Sequence, residues 1–233
     1  MSAITTQWID VDSAAGRFGA YLALPPAGRG PGLLLLQEIF GVNPHIRSVV
    51  EQYALDGFVV LAPDLFWRDA PRVELGYEGA DRARAMTLLQ AMRPETTLAD
   101  LRASLVALRS RPECAGKVGA LGYCMGGRLA YNAAALAEVD AAVAYYGGGI
   151  QRQLDLAPQV KCPMQFHYAG LDEHISRADV DAVQAAMQGK DAEFHWYEGA
   201  QHGFNCWARA SYHPASAALA HARSLNFLAR LFD

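Results

Sequence analysis

One cysteine of this chain is flanked by glycines in a pattern suited to covalent chemistry. Residues 122–126 read Gly-Tyr-Cys-Met-Gly, the nucleophile-elbow pattern G-x-S-x-G with Cys124 in place of serine. At an elbow a strand turns sharply into a helix, so Gly122 and Gly126 supply the small residues that this turn requires. The start of the following helix favours a thiolate. The motif therefore predicts a nucleophile at Cys124; the alternative is a buried structural cysteine in a glycine-rich turn.

Three further polar residues follow predicted strands. Glu38 comes after the apolar run 32–37, Asp172 after 162–168 and His202 after 192–197. Because ligands bind at the carboxyl ends of parallel strands, these side chains are expected near one another. The chain order of nucleophile, acid and histidine is that of α/β-hydrolases. We therefore expect His202 to be the base for Cys124 and Asp172 to orient the imidazole.

Alternatives exist for these assignments. Glu173 competes with Asp172, because an aspartate in a Gly-Leu-Asp-Glu turn is commonly a turn former. Cys206 is the other thiol close in sequence to His202. His167 lies inside a predicted strand and is expected in the core. The remaining histidines are expected at the surface: His45, His174, His195, His213 and His221.

Short apolar segments alternate with helical ones along the chain. Strands are predicted at 7–11, 19–24, 32–37, 58–62, 118–121, 140–146, 162–168 and 192–197. Helices are predicted from Pro44 up to Gly57 and at 80–92, 96–109, 128–137, 176–187 and 215–232, with 65–80 as a surface loop over the site. The pattern predicts an α/β fold, a doubly wound and mostly parallel sheet with helices on both faces, in a single domain over 1–233. The first two strands are expected to form a hairpin at the sheet edge.

The composition narrows the classes of function. Of 233 residues, 52% are hydrophobic, enough for a sizeable core, and the net charge is −4 without a basic run, which argues against a nucleic-acid partner. No run of about 18 apolar residues suggests a membrane span, and the first residues do not resemble a signal peptide, so a cytoplasmic location is expected. The cysteines match neither a C-x-x-C motif nor zinc spacing, so reduced thiols and no metal are expected.

Taken together, these segments resemble the dienelactone hydrolase family of α/β-hydrolases. The matching segments are 37–43, 62–65, 122–127, 145–147, 170–172 and 202–204. The resemblance implies a hydrolase that cleaves a small ester or lactone through a thioester on Cys124, with His202 and Asp172 completing a triad. It implies no cofactor. A monomer or a weak homo-oligomer is expected.

The resemblance also implies roles for residues around the triad. Glu38 would contact the thiol in the resting enzyme and be redirected when substrate binds. The backbone N–H groups of Met125 and Ile39 would form the oxyanion hole. The family's reference substrate, dienelactone, carries a carboxylate that two arginines hold. Arg82 matches one by position, whereas the second is displaced along the chain to Arg209.

Alternative interpretations of several residues, and of the function, are open at this point. Phe40, Tyr146 and Trp207 are candidate pocket walls, although core packing also explains an aromatic residue. Glu38 could instead form a structural salt bridge, with Arg82 or Arg128 as the partner. The chain could be a promiscuous small-ester carboxylesterase without dienelactone activity, or a non-catalytic small-molecule binder. The complete set of cysteine, histidine and aspartate argues against a binder.

Overall fold

The computed structural model describes residues 3–233, and the strands in that range form one sheet. The strands are β1 (Thr5–Ser13), β2 (Gly16–Leu24), β3 (Gly30–Leu36), β4 (Val59–Pro63), β5 (Cys114–Tyr123), β6 (Ala141–Tyr145), β7 (Met164–Ala169) and β8 (Ala192–Tyr197). The helices are α1 (Pro44–Leu55), α2 (Gly79–Ala91), α3 (Pro94–Arg109), α4 (Met125–Leu136), α5 (Arg177–Ala186) and α6 (Pro214–Leu228).

The sheet order is β1-β2-β4-β3-β5-β6-β7-β8. From β4 to β8 all neighbouring strands are parallel, and helices cover both faces. The predicted fold class, a doubly wound and mostly parallel α/β-hydrolase sheet, is confirmed. The predicted hairpin of β1 and β2 is also confirmed at the edge. Its strands run further than predicted, because pairing continues to Ser13 opposite Gly16.

The central strand β3 is buried from solvent on both faces of the sheet. Leu33–Leu36 of β3 are fully buried, as expected of a strand with helices on both faces. The helix after β3 begins as predicted: the Asn43 side chain accepts a hydrogen bond from the Ile46 N–H at 3.1 Å, and Pro44 occupies the first helical position. No helix within the described range 3–233 combines the length and apolarity needed to cross a bilayer.

Some boundaries differ from the predictions. Helix α4 starts at Met125 rather than 128, because the elbow passes directly from strand to helix at Cys124. Two short 3₁₀-helices, Ile150–Arg152 and Leu154–Gln159, fill the connection between β6 and β7. They are too short to show an apolar period, so the sequence did not reveal them. The C-terminal helix ends at Leu228 and continues as a 3₁₀ turn over Ala229–Leu231.

The segment between β4 and α2 is the surface loop that the sequence predicted. It is tied to the segment after β3 by a bridge between Gly41 and Glu74 and by the Leu75 N–H, which donates to the Phe40 carbonyl at 2.9 Å. These bonds fix the loop beside the chain that leaves β3.

Glycines let the elbow helix start against its neighbours. A Cβ built on Gly122 would lie 2.0 Å from the Gly126 carbonyl oxygen, and one built on Gly126 would lie 2.1 Å from the Leu36 oxygen. Such separations lie well inside van der Waals contact, and backbone atoms cannot move aside as a side chain does. The start of α4 therefore packs on β5 and β3 only if both positions are glycine.

We expect Gly122→Ala to lower the free energy of unfolding by about 3 kcal/mol or more, because the added methyl group meets backbone. Gly19→Ala in β2 is the matched control: its Cβ would lie 3.5 Å from the Trp8 ring, an ordinary contact, and its effect should stay within about 1 kcal/mol. Urea unfolding midpoints measure both. Equal stability of the two variants would contradict this account of the elbow.

Candidate active site

Cys124 occupies a strained backbone conformation between β5 and α4. Its φ is 56° and its ψ is −114°, in a region that residues with a side chain seldom adopt. The Cys124 N–H donates to the Tyr145 carbonyl at 3.0 Å, and its carbonyl accepts from the Arg128 N–H at 3.2 Å. These bonds hold the residue at the tip of the turn, as a nucleophile elbow requires.

Asp172 and His202 meet at the carboxyl ends of β7 and β8. The His202 Nδ1 lies 2.8 Å from the Asp172 Oδ2, and the aspartate side chain is 1% exposed. The other oxygen, Oδ1, accepts from the N–H groups of His174 at 2.8 Å and Ile175 at 3.2 Å. These bonds satisfy the hydrogen-bonding capacity of a buried carboxylate. Glu173 is exposed, so Asp172 and not Glu173 contacts the histidine.

The Cys124 side chain lies close enough to His202 to affect its titration. Burial acts to lower the pKa of His202, but the charge of Cys124 and the hydrogen bond to Asp172 outweigh it and raise the pKa to about 10. An imidazole with this pKa keeps its proton at neutral pH. The arrangement therefore places the imidazole between the carboxylate of a buried aspartate and a cysteine at a helix N-terminus.

The two expected oxyanion donors lie on segments that touch. Met125 is the first residue of α4, so its N–H has no acceptor within the helix. Ile39 is half-buried two residues beyond the Gln37 carbonyl oxygen, which would lie 2.6 Å from a Cβ on Gly126. The close approach of α4 to the end of β3 brings these two segments together.

Glu38 is buried and paired with an arginine. The Arg209 Nη1 donates to Glu38 Oε1 at 3.2 Å, and the glutamate is 2% exposed. Burial raises the pKa of Glu38, while the charges of Arg209 and His202 act in the opposite direction. The alternative of a salt bridge was correct in kind but wrong in its partners, since neither Arg82 nor Arg128 makes it.

The expected contact between Glu38 and the resting thiol is absent from this structure. Glu38 Oε1 binds Arg209, and Oε2 has no hydrogen-bond partner among residues 3–233. Arg209 also lies over the rings of Phe40 at 5.7 Å and Tyr77 at 5.5 Å. The arginine expected to bind substrate is thus engaged by Glu38 and by two aromatic faces.

The other residues expected to bind substrate occupy different settings. Arg82 is exposed on α2. Phe40 is buried and packs edge-on against Tyr77 at 4.6 Å. Tyr146 is fully buried with its ring 5.0 Å from that of His202, and its φ of 37° is also positive. Trp207 is 45% exposed and packs on the ring of His45.

The histidines other than His202 differ in burial, and only some agree with the prediction. His167 is a core histidine, as predicted, with its ring nitrogens 2.8 Å from the Tyr197 hydroxyl and from Gln165 Oε1. The expectation for His45 was wrong: it is buried, and burial and the charge of Arg209 lower its pKa to about 4. His174 is exposed as expected; His195, His213 and His221 are half-buried.

Two residues near Arg209 were not predicted from the sequence to lie in this region, Tyr77 and His45. Tyr77 lies beside Arg209, and its hydroxyl accepts from Asn43 Nδ2 at 3.0 Å. His45 continues the inward face of α1 with Ile46 and Val49, so its helical position could have indicated burial. No comparable signal marks Tyr77, which lies in an irregular loop. Within the described part of the chain, no group of three or more His, Cys, Asp or Glu side chains could hold a metal ion.

A strand-to-helix elbow after the third parallel strand, an acid after β7 and a histidine after β8 on such a sheet define an α/β-hydrolase. The model of the dienelactone hydrolase family matches residues 18–232, and the chain belongs to that family. It is accordingly a hydrolase of carboxylic ester or lactone bonds.

Individual relatives agree with this assignment. The chain is 38% identical over 229 residues to a carboxymethylenebutenolidase of Pseudomonas sp. (strain P51), with 97% of this chain and 96% of that protein covered. It is 34% identical to carboxymethylenebutenolidase 1 of Cupriavidus pinatubonensis, with 94% of each covered. A crystal structure of a Klebsiella pneumoniae protein provisionally assigned as a dienelactone hydrolase superposes with a TM-score of 0.89 at 29% identity, covering 98% of this chain and 99% of that one.

We expect the imidazole of His202 to stay protonated well above neutral pH. The unfolded pKa of histidine is about 6.5, and the folded pKa is raised to about 10. The stabilisation from this shift is therefore fully present below about pH 6.5 and is lost as the pH rises towards 10. NMR titration of the ¹³C-labelled ring measures the pKa, and Cys124→Ala should lower it by removing the thiolate charge. Titration of the wild-type ring near pH 6.5 would contradict this description.

Proposed function

We propose that the enzyme hydrolyses small esters or lactones through a thioester on Cys124, with His202 and Asp172 as its acid–base pair. The observation that carries the proposal is the geometry at one sheet edge. There the strained elbow presents Cys124 to a histidine whose Nδ1 lies 2.8 Å from a buried, hydrogen-bonded aspartate. A chain with a purely structural cysteine has no use for this arrangement.

Acylation begins with the thiolate. The Cys124 sulfur attacks the carbonyl carbon, a C–S bond forms, and the carbonyl electron pair moves onto oxygen. The N–H groups of Met125 and Ile39 are the proposed donors to that oxyanion. When the tetrahedral intermediate collapses, the C–O bond to the leaving group breaks, and the leaving alkoxide takes the proton from His202. In a lactone, the released hydroxyl stays attached to the acyl group.

Deacylation reverses these roles. Neutral His202 removes a proton from water, and the resulting hydroxide attacks the thioester carbon. Collapse of the second tetrahedral intermediate breaks the C–S bond and returns the electron pair to sulfur as a thiolate. The products are a carboxylic acid and the imidazolium of the resting site. Asp172 accepts the hydrogen bond of the Nδ1–H, so that Nε2 faces the reacting atoms.

Glu38 and Arg209 couple substrate charge to the site. A substrate carboxylate that binds Arg209 must displace the Glu38 carboxylate from its 3.2 Å contact. The released Glu38 would be a buried carboxylate without a cation, which favours its protonated form. In this proposal Arg82 attracts the carboxylate from the exposed side, and Phe40, Tyr146 and Trp207 form walls of the pocket.

A second candidate is a small-ester carboxylesterase without activity on dienelactone. One observation favours it: Arg209 is already committed to Glu38 and to two aromatic rings, while Arg82 is exposed on α2. A carboxylate-bearing lactone would then gain no advantage over a neutral ester. The two candidates share the same chemistry at Cys124 and differ in how they recognise substrate charge.

Cys124→Ala should abolish turnover of p-nitrophenyl acetate, because no other group in the site can form the acyl intermediate. Cys162→Ala is the control, since that half-buried thiol precedes β7 outside the elbow; its activity should stay within about tenfold of wild type. Intact-protein mass spectrometry during turnover should show one acetyl group on wild type and none on Cys124→Ala. An active Cys124→Ala enzyme that acetylates at Cys206 would instead identify Cys206 as the nucleophile.

Arg82→Ala should raise KM about tenfold for a carboxylate-bearing lactone and leave KM for its neutral methyl ester unchanged, because one charged contact is lost. Arg84→Ala, also exposed on α2, is the matched control for loss of charge. Steady-state kinetics on the two substrates give the comparison. Equal weakening of both substrates, or no effect on either, would favour the carboxylesterase candidate.

A further inference from the structure

Two arginines approach the same point beside the elbow helix. A Cβ built on Gly149 would lie 3.0 Å from Arg128 Nη1 and 3.2 Å from Arg152 Nη2. Arg128 lies one helical turn after Cys124, and Arg152 belongs to the 3₁₀-helix after β6. Neither guanidinium forms a hydrogen bond or an ion pair with another residue in the described range 3–233. The two like charges therefore lie close together, with Arg128 half-buried and Arg152 exposed to solvent.

This juxtaposition is unfavourable in the absence of an anion. Burial lowers the pKa of Arg128, the charge of Arg152 lowers it further, and the charge of Cys124 opposes both. Two carboxylates lie in the vicinity. Asp179, which senses the charge of Arg152, is held by Ser176 through bonds of 2.8 and 2.9 Å at the start of α5, and Glu95 is exposed. Asp179 therefore supplies part of the opposite charge near Arg152, but neither carboxylate forms an ion pair with Arg128 or Arg152.

Arg128 and Arg152 line a cavity of about 540 Å³. Its size is typical of small-molecule sites in proteins. Most of the remaining lining is aliphatic, with Glu95 as its one acidic residue and Asn132 bonded to Gln153 at 2.8 Å. The aliphatic side chains include those of Leu98, Leu101, Leu129, Leu136 and Leu156. Cys124, Asp172 and His202 are not part of this lining.

We infer that this cavity binds a monocarboxylate with an aliphatic chain, the carboxylate between Arg128 and Arg152 and the chain against the leucines. Guanidinium groups match the planar carboxylate and bind it through paired N–H bonds. An aliphatic chain on the ligand would bury the apolar surface of the lining and so stabilise the complex. Inorganic phosphate and acetate have no such chain. Hydrolysis at Cys124 does not require a ligand in this cavity. Binding of the monocarboxylate is therefore independent of turnover.

Isothermal titration calorimetry on the wild-type enzyme tests the ligand class with octanoate as the probe. Octanoate should bind at least tenfold more tightly than octan-1-ol, which has the chain without the charge, and than acetate or phosphate, which have charge without the chain. Similar affinity for octanoate and octan-1-ol would reduce the site to an apolar cavity and overturn the inference. Failure of octanoate to bind would also overturn it.

Variants locate the bound carboxylate. Arg128→Gln and Arg152→Gln should each weaken octanoate about tenfold, whereas Arg84→Gln, exposed on α2 outside the cavity, should bind it as wild type does. Arg82→Gln tests the alternative location in the catalytic cleft. Loss of affinity in Arg82→Gln with normal binding in the other two variants would overturn the inference. Far-ultraviolet circular dichroism and unfolding midpoints establish that each variant is folded.

Discussion

The site depends on one backbone constraint, the turn that takes β5 into α4 at Cys124. A cysteine with a φ of 56° costs of order 1–3 kcal/mol, which the surrounding contacts must offset. They do so because Gly122 and Gly126 let the first turn of α4 touch β5 and the end of β3. The same close approach brings the segment of Met125 next to the end of β3, which leads to Ile39. The positions of the proposed nucleophile and of its proposed oxyanion donors thus follow from a single close contact.

Ionisable groups in the site lie next to groups of opposite charge. Asp172 holds His202, the charge of Cys124 raises the pKa of that histidine, and Arg209 neutralises Glu38. Each buried charge has an opposite neighbour, without which burial would favour the neutral form. The arrangement explains how Glu38 remains at 2% exposure with one oxygen unpartnered. Under the proposed function, a substrate carboxylate would compete with Glu38 for Arg209.

The arginines around the start of α4 have two kinds of surroundings. Arg209 has an anion and two aromatic rings, and its position is fixed. Arg128 and Arg152 share a point over Gly149 without an anion and line an aliphatic cavity. The elbow helix separates these settings by little more than its first turn, since it carries Cys124 at its start and Arg128 one turn later. Arginine side chains therefore lie on both sides of the start of α4.

The sequence by itself determined the elbow, the mostly parallel sheet and the pairing of Asp172 with His202 at its edge. These features follow from local patterns, because glycine spacing, apolar runs and the residues directly after strands fix where each side chain emerges. Only the tertiary structure decided that Glu38 pairs with Arg209, 171 residues away. Such contacts depend on the path of long connections after β4, β6 and β8, which carry little periodicity. For the same reason, the sequence did not indicate that Arg128 and Arg152 approach each other over Gly149.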